Sequence, residues 1–463
     1  MKRVLKLTLS LFLAAALSSA CLLAGCSITQ DDSIINVIAS DDSSADASDN
    51  TAAGSVPDSS SADSSGTDSS SEDNSSGSVT YVSSGLSVDY EVVESAETTY
   101  TVSENLLSVA TVYADTVRTY SSNSYGPHAS TSFSYHDVYT GSSVIFSVAD
   151  DYVYFVTCYH VIYNEDEGQV ADDIYVYLYG SGDEAEVTDY QLVGTTAYYT
   201  EMNYGDNAIE CEYVGGSWAE DVAVLKASTE SVLAINEQAK AVTFCENYSA
   251  GDTAVAIGNY AGEGISVTEG SVAVQSEEIS LTLGSDTSSF RVMRLDLNIY
   301  EGNSGCGLFD ENGCYIGMIN AMSTVYTNYT FAIPADVVLK SIENIIYYAN
   351  YHNMYTADLG IEVEASSSKY VYDSVSRTGE IVEAVKVTSV ASGSAADEME
   401  LQTGDIIKSV TVDGVEYEVT RTYDIEDLQL IIFADSKVVV TYERGGETSS
   451  AEYQFTSENV SKH

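Results

Sequence analysis

From Asn105 to Pro334 the chain alternates short apolar runs with turns rich in Gly, Asn, Asp and Ser. Ser143-Val-Ile-Phe-Ser-Val, Tyr152-Val-Tyr-Phe-Val-Thr, Ile174-Tyr-Val-Tyr-Leu, Thr253-Ala-Val-Ala-Ile and Tyr315-Ile-Gly-Met-Ile are typical runs. Several have a period of two, which places alternate side chains on one buried face, so the stretch predicts an all-β barrel or sandwich. The pattern then changes at Ala335-Asp-Val-Val-Leu-Lys-Ser-Ile-Glu-Asn-Ile-Ile. There the apolar residues recur every three or four positions behind Pro334, which predicts one amphipathic helix. A polar stretch from Tyr351 to Thr356 marks a boundary, and a smaller unit mixing strands and helices follows from about Asp358. Upstream, Ser27 to about Thr99 is Ser, Asp, Ala and Gly with almost no apolar period. Such a segment cannot bury enough to order itself and is expected to be a self-repelling tether. The organisation expected is a leader over 1–26, a tether over 27–103, a β-rich domain over 104–350 and a smaller α+β domain over 351–463.

At 463 residues the chain is long enough for two or three domains. Its 17 Lys and Arg face 71 Asp and Glu, a net charge of −54. That surface repels phosphate backbones and excludes a nucleic-acid partner. The 36 Tyr suit strands. At the N-terminus Lys2, Arg3 and Lys6 precede an apolar run, Leu7 to Leu17, that closes on Leu23-Ala24-Gly25-Cys26. Small residues followed directly by Cys resemble the lipobox of bacterial lipoproteins. The resemblance implies that Cys26 carries lipid and holds the mature protein at the outer face of a membrane, outside the cytoplasm. Beyond Cys21 and Cys26, five Cys remain, so at least one is unpaired within a monomer.

Among five His, His160 alone ends a strongly apolar strand, in Phe155-Val-Thr-Cys-Tyr-His-Val-Ile. Asp221-Val-Ala-Val-Leu-Lys is a strand that opens on an acid. Glu301-Gly-Asn-Ser-Gly-Cys-Gly-Leu-Phe sets Ser304 in a Gly-flanked turn. Glycines let such a turn aim successive N–H groups into one small volume, as acyl transfer requires beside its nucleophile. Each alone has an ordinary explanation: a core His, a strand-capping Asp, a hairpin turn. The order His, Asp, Ser is that of chymotrypsin-type barrels. No metal motif, Walker A or EF-hand pattern occurs, and no cofactor is expected.

The three segments resemble HtrA/DegP-like serine proteases. Thr157-Cys-Tyr-His-Val is similar to T-N-A-H-V, Asp221-Val-Ala-Val-Leu-Lys to D-L-A-V-L-K, and Gly302-Asn-Ser-Gly to G-N-S-G-G. The likeness runs from about Asn105 to Ile346 and implies a chymotrypsin-like double β-barrel. It makes Ser304 the nucleophile, His160 the base and then acid, and Asp221 the orienting carboxylate. Gly302 and Ser304 N–H would form the oxyanion hole. Ile319, Asn320 and Ala321 would pair with extended substrate, and Ile299 would line a pocket for small aliphatic side chains. Two departures stand out: Cys306 replaces a Gly, and Gly307 stands where Pro or Ala is usual. A Cβ at position 306 is costly if that site needs a positive φ. Cys158 and Cys306, each two residues from a triad member, are candidates for a disulfide. The long acid- and Tyr-rich segment between His160 and Asp221 reads as a hairpin insertion over the site.

Asp358-Leu-Gly-Ile-Glu-Val resembles the carboxylate-binding loop and first strand of an HtrA-type PDZ domain. Val387-Thr-Ser-Val-Ala-Ser-Gly-Ser-Ala-Ala and Leu401-Gln-Thr-Gly-Asp-Ile-Ile follow in the expected order. Asp424 to Phe433 has helical spacing. By the resemblance, N–H groups around Leu359, Gly360 and Ile361 capture a peptide carboxylate. The expected protein is a mainly β, extracytoplasmic, lipid-anchored serine endopeptidase acting on unfolded or damaged proteins, and the family implies a homotrimer. The alternative is a catalytically silent peptide-binding or chaperone-like surface protein, which a fluorophosphonate probe would not label.

Overall fold

The computed structural model describes residues 26–30, 33–37, 78–83, 86–91, 102–122 and 131–462, save 183–184, 246–247, 284–285, 324–325 and 375–377. The leader before Cys26 and most of the expected tether lie outside the described residues. Within the tether range, Cys26–Gln30 pairs with Ser33–Val37 and Ser78–Ser83 with Leu86–Glu91.

The first barrel holds β1 (Val109–Ser122), β2 (Thr131–Val148), β3 (Tyr152–Thr157), the one-turn helix α1 (Tyr159–Ile162), β4 (Asp173–Leu178), β5 (Glu186–Val193), β6 (Thr196–Asn203), β7 (Glu212–Ser217) and β8 (Val222–Ser228). Its antiparallel order is Ile209–Glu210, β4, β1, β2, β3, β8, β7. The two ends of this sheet meet at Cys211, whose N–H donates to Ile174 C=O at 2.8 Å. Period-two patterning gives β3 its buried Val153 and Phe155, while Tyr152 stays exposed. The long segment after His160 does form a hairpin, β5–β6. Its hydrogen-bonded partner is the outer part of β2, where Tyr199 faces His136.

The second barrel holds β9 (Thr253–Asn259), β10 (Ile265–Leu283), β11 (Asp286–Asp296), β12 (Gly307–Phe309), β13 (Tyr315–Met322) and β14 (Tyr329–Pro334). The order is β9, β12, β13, β14, β11, β10, and β10 pairs again with β9 to close it. Helix α2 (Ala335–Tyr347) begins directly after Pro334, where the apolar spacing predicts it. It buries Val337, Val338, Ile342 and Ile345 in a core shared with Val222 to Leu225 of β8. This explains why β8 reads as a continuous apolar run, with both its faces covered.

The C-terminal unit has its own core, from Ala357 to Phe455. Its strands are β15 (Ile361–Asp373), β16 (Thr378–Val390), β17 (Ile406–Val412), β18 (Val415–Glu418), β19 (Lys437–Arg444) and β20 (Glu447–Gln454), with α3 at Asp424–Gln429. The order β15, β16, β17, β19, β20 leaves β15 at the edge. Helix α3 is shorter than the periodicity of 424–433 predicts. Leu430 and Ile431 continue as turns, and Asn344 of α2 donates to Leu430 C=O at 2.5 Å.

Contacts between the two parts centre on Arg291 of β11, which is almost fully buried. It pairs with Asp336 of α2 and, at 2.8 Å, with Asp427 of α3. Tyr347 stacks on Phe433 with ring centres 4.2 Å apart, and its hydroxyl donates to Asp435 at 2.7 Å.

Candidate active site

β3 delivers Thr157 and the extended Cys158 to α1, which carries His160. Asp221 enters β8 from a left-handed φ of 51°, a conformation that Asp and Asn tolerate better than other side chains. Its C=O accepts from Tyr159 N–H at 3.2 Å and its carboxylate from His160 N–H at 3.0 Å. The two carboxylate oxygens lie 3.0 and 2.8 Å from His160 Nδ1. A carboxylate at Nδ1 draws the ring proton there and leaves Nε2 free to take another. Burial alone would lower the His160 pKa, but the Asp221 charge and hydrogen bond, with Glu165 adding, raise it above the usual imidazole value.

Ser304 sits in a turn that uses glycines at two places where no side chain fits. Gly302 has φ 90° and Gly305 φ 84°. A Cβ on Gly302 would lie 2.2 Å from Asn259 C=O, and one on Gly305 2.2 Å from Ser142 C=O. The residue that ties this turn to the first barrel is Ser142 of β2. Its N–H donates to Ser304 C=O at 2.8 Å. Its hydroxyl donates to Gly302 C=O at 2.7 Å and accepts from Asn259 N–H at 2.8 Å. Next to it, Gly141 is wedged between Val161 and the Ser304 carbonyl; a Cβ there would meet them at 2.5 and 3.1 Å. Nothing in the sequence singles out Gly141 or Ser142, which lie in a Thr-Gly-Ser-Ser stretch of β2.

The turn leaves the N–H groups of Gly302 and Ser304 without a partner among the described residues, while Asn303 N–H donates to Tyr300 C=O. Among the described residues no hydrogen bond joins Ser304 Oγ to His160. Ile299 is buried in the second barrel's core. Ile319 spends both backbone groups on the Ser304 turn: its C=O accepts from Gly305 N–H and its N–H donates to Cys306 C=O. Strand β12 pairs with β13 only as far as Met318, and Asn320 and Ala321 lie beyond that pairing, both buried. The Asn320 side-chain amide is buried with neither polar atom partnered.

Cys306 is not among the residues with positive φ, so its Cβ meets no backbone penalty; the positive φ falls on Gly305 instead. Cys158 and Cys306 are both free thiols, and the disulfide joins Cys245 to Cys314. Cys158 Sγ donates to Ile319 C=O at 3.3 Å, and burial, then the neighbouring Asp221 charge, push its thiol pKa well up. In the C-terminal unit, Leu359 is buried and Gly360 adopts φ 77°. The Gly360 N–H already donates to the Asp358 carboxylate at 2.6 Å.

A trypsin-like peptidase domain model matches residues 141–318, and a PDZ domain model matches residues 357–454. The serine protease Do-like HtrA of Lactococcus lactis subsp. lactis is 26% identical over 61% of this chain and 69% of its own length. The protein of the same name from Bacillus subtilis is 27% identical over 66% of this chain and 60% of its own. Among solved structures, the HtrA-type protease AlgW with decapeptide aligns at a TM-score of 0.47 and 22% identity, over 80% of this chain and 99% of that one. With a double β-barrel in which a carboxylate braces an imidazole, followed by an α+β unit, the chain is an HtrA-like serine endopeptidase of trypsin fold with a C-terminal PDZ domain.

Proposed function

We propose that Ser304, His160 and Asp221 form the triad that hydrolyses peptide bonds in unfolded or damaged proteins. The observation that carries this reading is the two-oxygen grip of Asp221 on His160 Nδ1, beside a Ser304 turn tied down by Ser142. His160 Nε2 takes the Ser304 proton as the hydroxyl attacks and gives it to the leaving amine as the tetrahedral intermediate collapses to the acyl-enzyme, which water then hydrolyses. The unpartnered N–H groups of Gly302 and Ser304 stabilise the oxyanion. In apo enzymes such catalytic hydrogen bonds are often long and tighten with substrate, which accommodates the missing Ser304–His160 bond. Substrate runs along Asn320 and Ala321, and Ile299 favours a small aliphatic side chain at the cleaved position.

The PDZ unit takes a peptide as an added strand on β15, the end strand of its sheet among the described residues. Lipid on Cys26 holds the protein outside the cytoplasm, and the assembly is a homotrimer. Labelling by a fluorophosphonate probe and degradation of casein, each lost in Ser304→Ala, test the catalytic reading. No labelling of the wild-type chain, even with PDZ peptides present, would replace it with a silent peptide-binding protein.

A further inference from the structure

The imidazole and carboxylate at the centre of the site have a third neighbour with donor capacity. Cys158 Sγ, His160 and Asp221 each offer an atom within 4.8 Å of the other two, and among the described residues this is the one such trio of His, Cys, Asp and Glu. Around a tetrahedral zinc ion, bonds of about 2.0–2.3 Å separate the donors by roughly 3.3–3.8 Å. The trio is therefore within about an ångström of a closed first sphere, with Asp221 to His160 Nδ1 already at 2.8 Å. The set combines thiolate, imidazole and carboxylate, which is the borderline-soft chemistry that favours zinc over calcium or magnesium. Cys158 and Asp221 are buried, while the His160 side chain is about a quarter exposed. Three protein ligands leave the fourth position to water.

We propose that Cys158, His160 and Asp221 form a zinc-binding site whose occupation switches the protease off reversibly. On binding, the Cys158 S–H proton passes to water and a Zn–S bond forms. The proton on His160 Nδ1 moves to Nε2 by way of water as Nδ1 ligates the metal. With Nδ1 on the ion and Nε2 carrying the proton, the imidazole has no lone pair left and ceases to act as base toward Ser304. The inhibitory consequence rests on the triad reading; the binding itself does not.

Cobalt(II), which substitutes for zinc, is the probe. Titrated into the full-length Ser304→Ala chain, it is expected to give one equivalent of a near-ultraviolet thiolate-to-cobalt charge-transfer band with tetrahedral visible bands. The band should vanish in Cys158→Ala and in Cys158→Ser, the latter keeping a donor toward Ile319 C=O, and persist in Cys211→Ala. In the chain with Ser304 intact, zinc should block casein degradation, chelator should restore it, and Cys158→Ser should need about tenfold more zinc or beyond. A missing band, or one that survives in both Cys158 variants, overturns the site. Binding without any fluorophosphonate labelling of the metal-free wild type keeps the metal site and sinks the catalytic reading instead.

Discussion

The backbone N–H of Ser142 donates to the carbonyl of Ser304 at 2.8 Å, so a strand of the first barrel holds the turn of the proposed nucleophile in the second. Its hydroxyl adds bonds to Gly302 C=O and Asn259 N–H. Ser142→Ala keeps the first contact and loses the other two. The fluorophosphonate labelling rate should fall about tenfold or more, since small displacements of a nucleophile are costly. Gly141→Ala should do at least as much, because the new Cβ meets Val161 at 2.5 Å. Unchanged labelling in both variants would show that this brace does not position Ser304.

The His160 pKa is raised, with the Asp221 carboxylate and then Glu165 outweighing the opposing effect of burial. Catalysis needs the neutral ring, so kcat/KM should fall as pH drops through a value above the ordinary 6.5. Glu165→Gln removes a negative charge and should move that acid limb to lower pH by less than about one unit, with activity at high pH retained. The stability effect has a different profile. A raised folded pKa means that the pair's contribution is full below the unfolded value and is lost as pH rises through the folded one. A pH profile for Glu165→Gln that overlays the wild type would remove Glu165 from the field at His160.

Two carboxylates compete for Arg291. Burial pushes Asp427 up to about 7 against the pull of Arg291 and Lys340, whereas at Asp336 the same two cations outweigh burial and lower the pKa. With its folded pKa raised, Asp427 contributes stability that is present below its unfolded value and lost as pH climbs through about 7. The melting temperature of wild type should therefore drop more than that of Asp427→Asn between about pH 5 and about pH 8. Parallel slopes in differential scanning fluorimetry would refute this assignment of the proton.

Asp358 holds the Gly360 N–H that a peptide carboxylate would need. Asp358→Ala frees the donor and removes a like charge. The affinity for a peptide with a free C-terminus, read by isothermal titration, should rise about tenfold, the worth of one charge-assisted hydrogen bond. If the C-terminally amidated peptide gains as much, the loop does not read carboxylates.

The residues proposed as the triad stand out in the sequence because each sits in a short local pattern: His160 at the end of an apolar strand, Asp221 at the head of another, Ser304 between glycines. Barrel strands and helix α2 were legible from period alone. Ser142 was not, since one Ser among the several of β2 has no signature until its partners, well over a hundred residues away, are placed. The Cys245–Cys314 pair was hidden for a related reason: an odd set of cysteines permits many pairings, and only the approach of their Cα atoms to 5.8 Å selects one. Helix α3 ended early because Asn344 of the other domain claims the Leu430 carbonyl, a contact that no local period encodes. Asp358 is adjacent to the PDZ loop in sequence, yet its occupation of Gly360 N–H depends on the loop's φ, which composition leaves open.

The Cys245–Cys314 link spans a stretch of chain that contains Ser304, while His160 and Asp221 lie before it. A protease that nicks itself anywhere inside that stretch stays in one piece until it meets a reductant. Its autolysis would go unseen on a non-reducing gel, and the two fragments would part only once thiol is added.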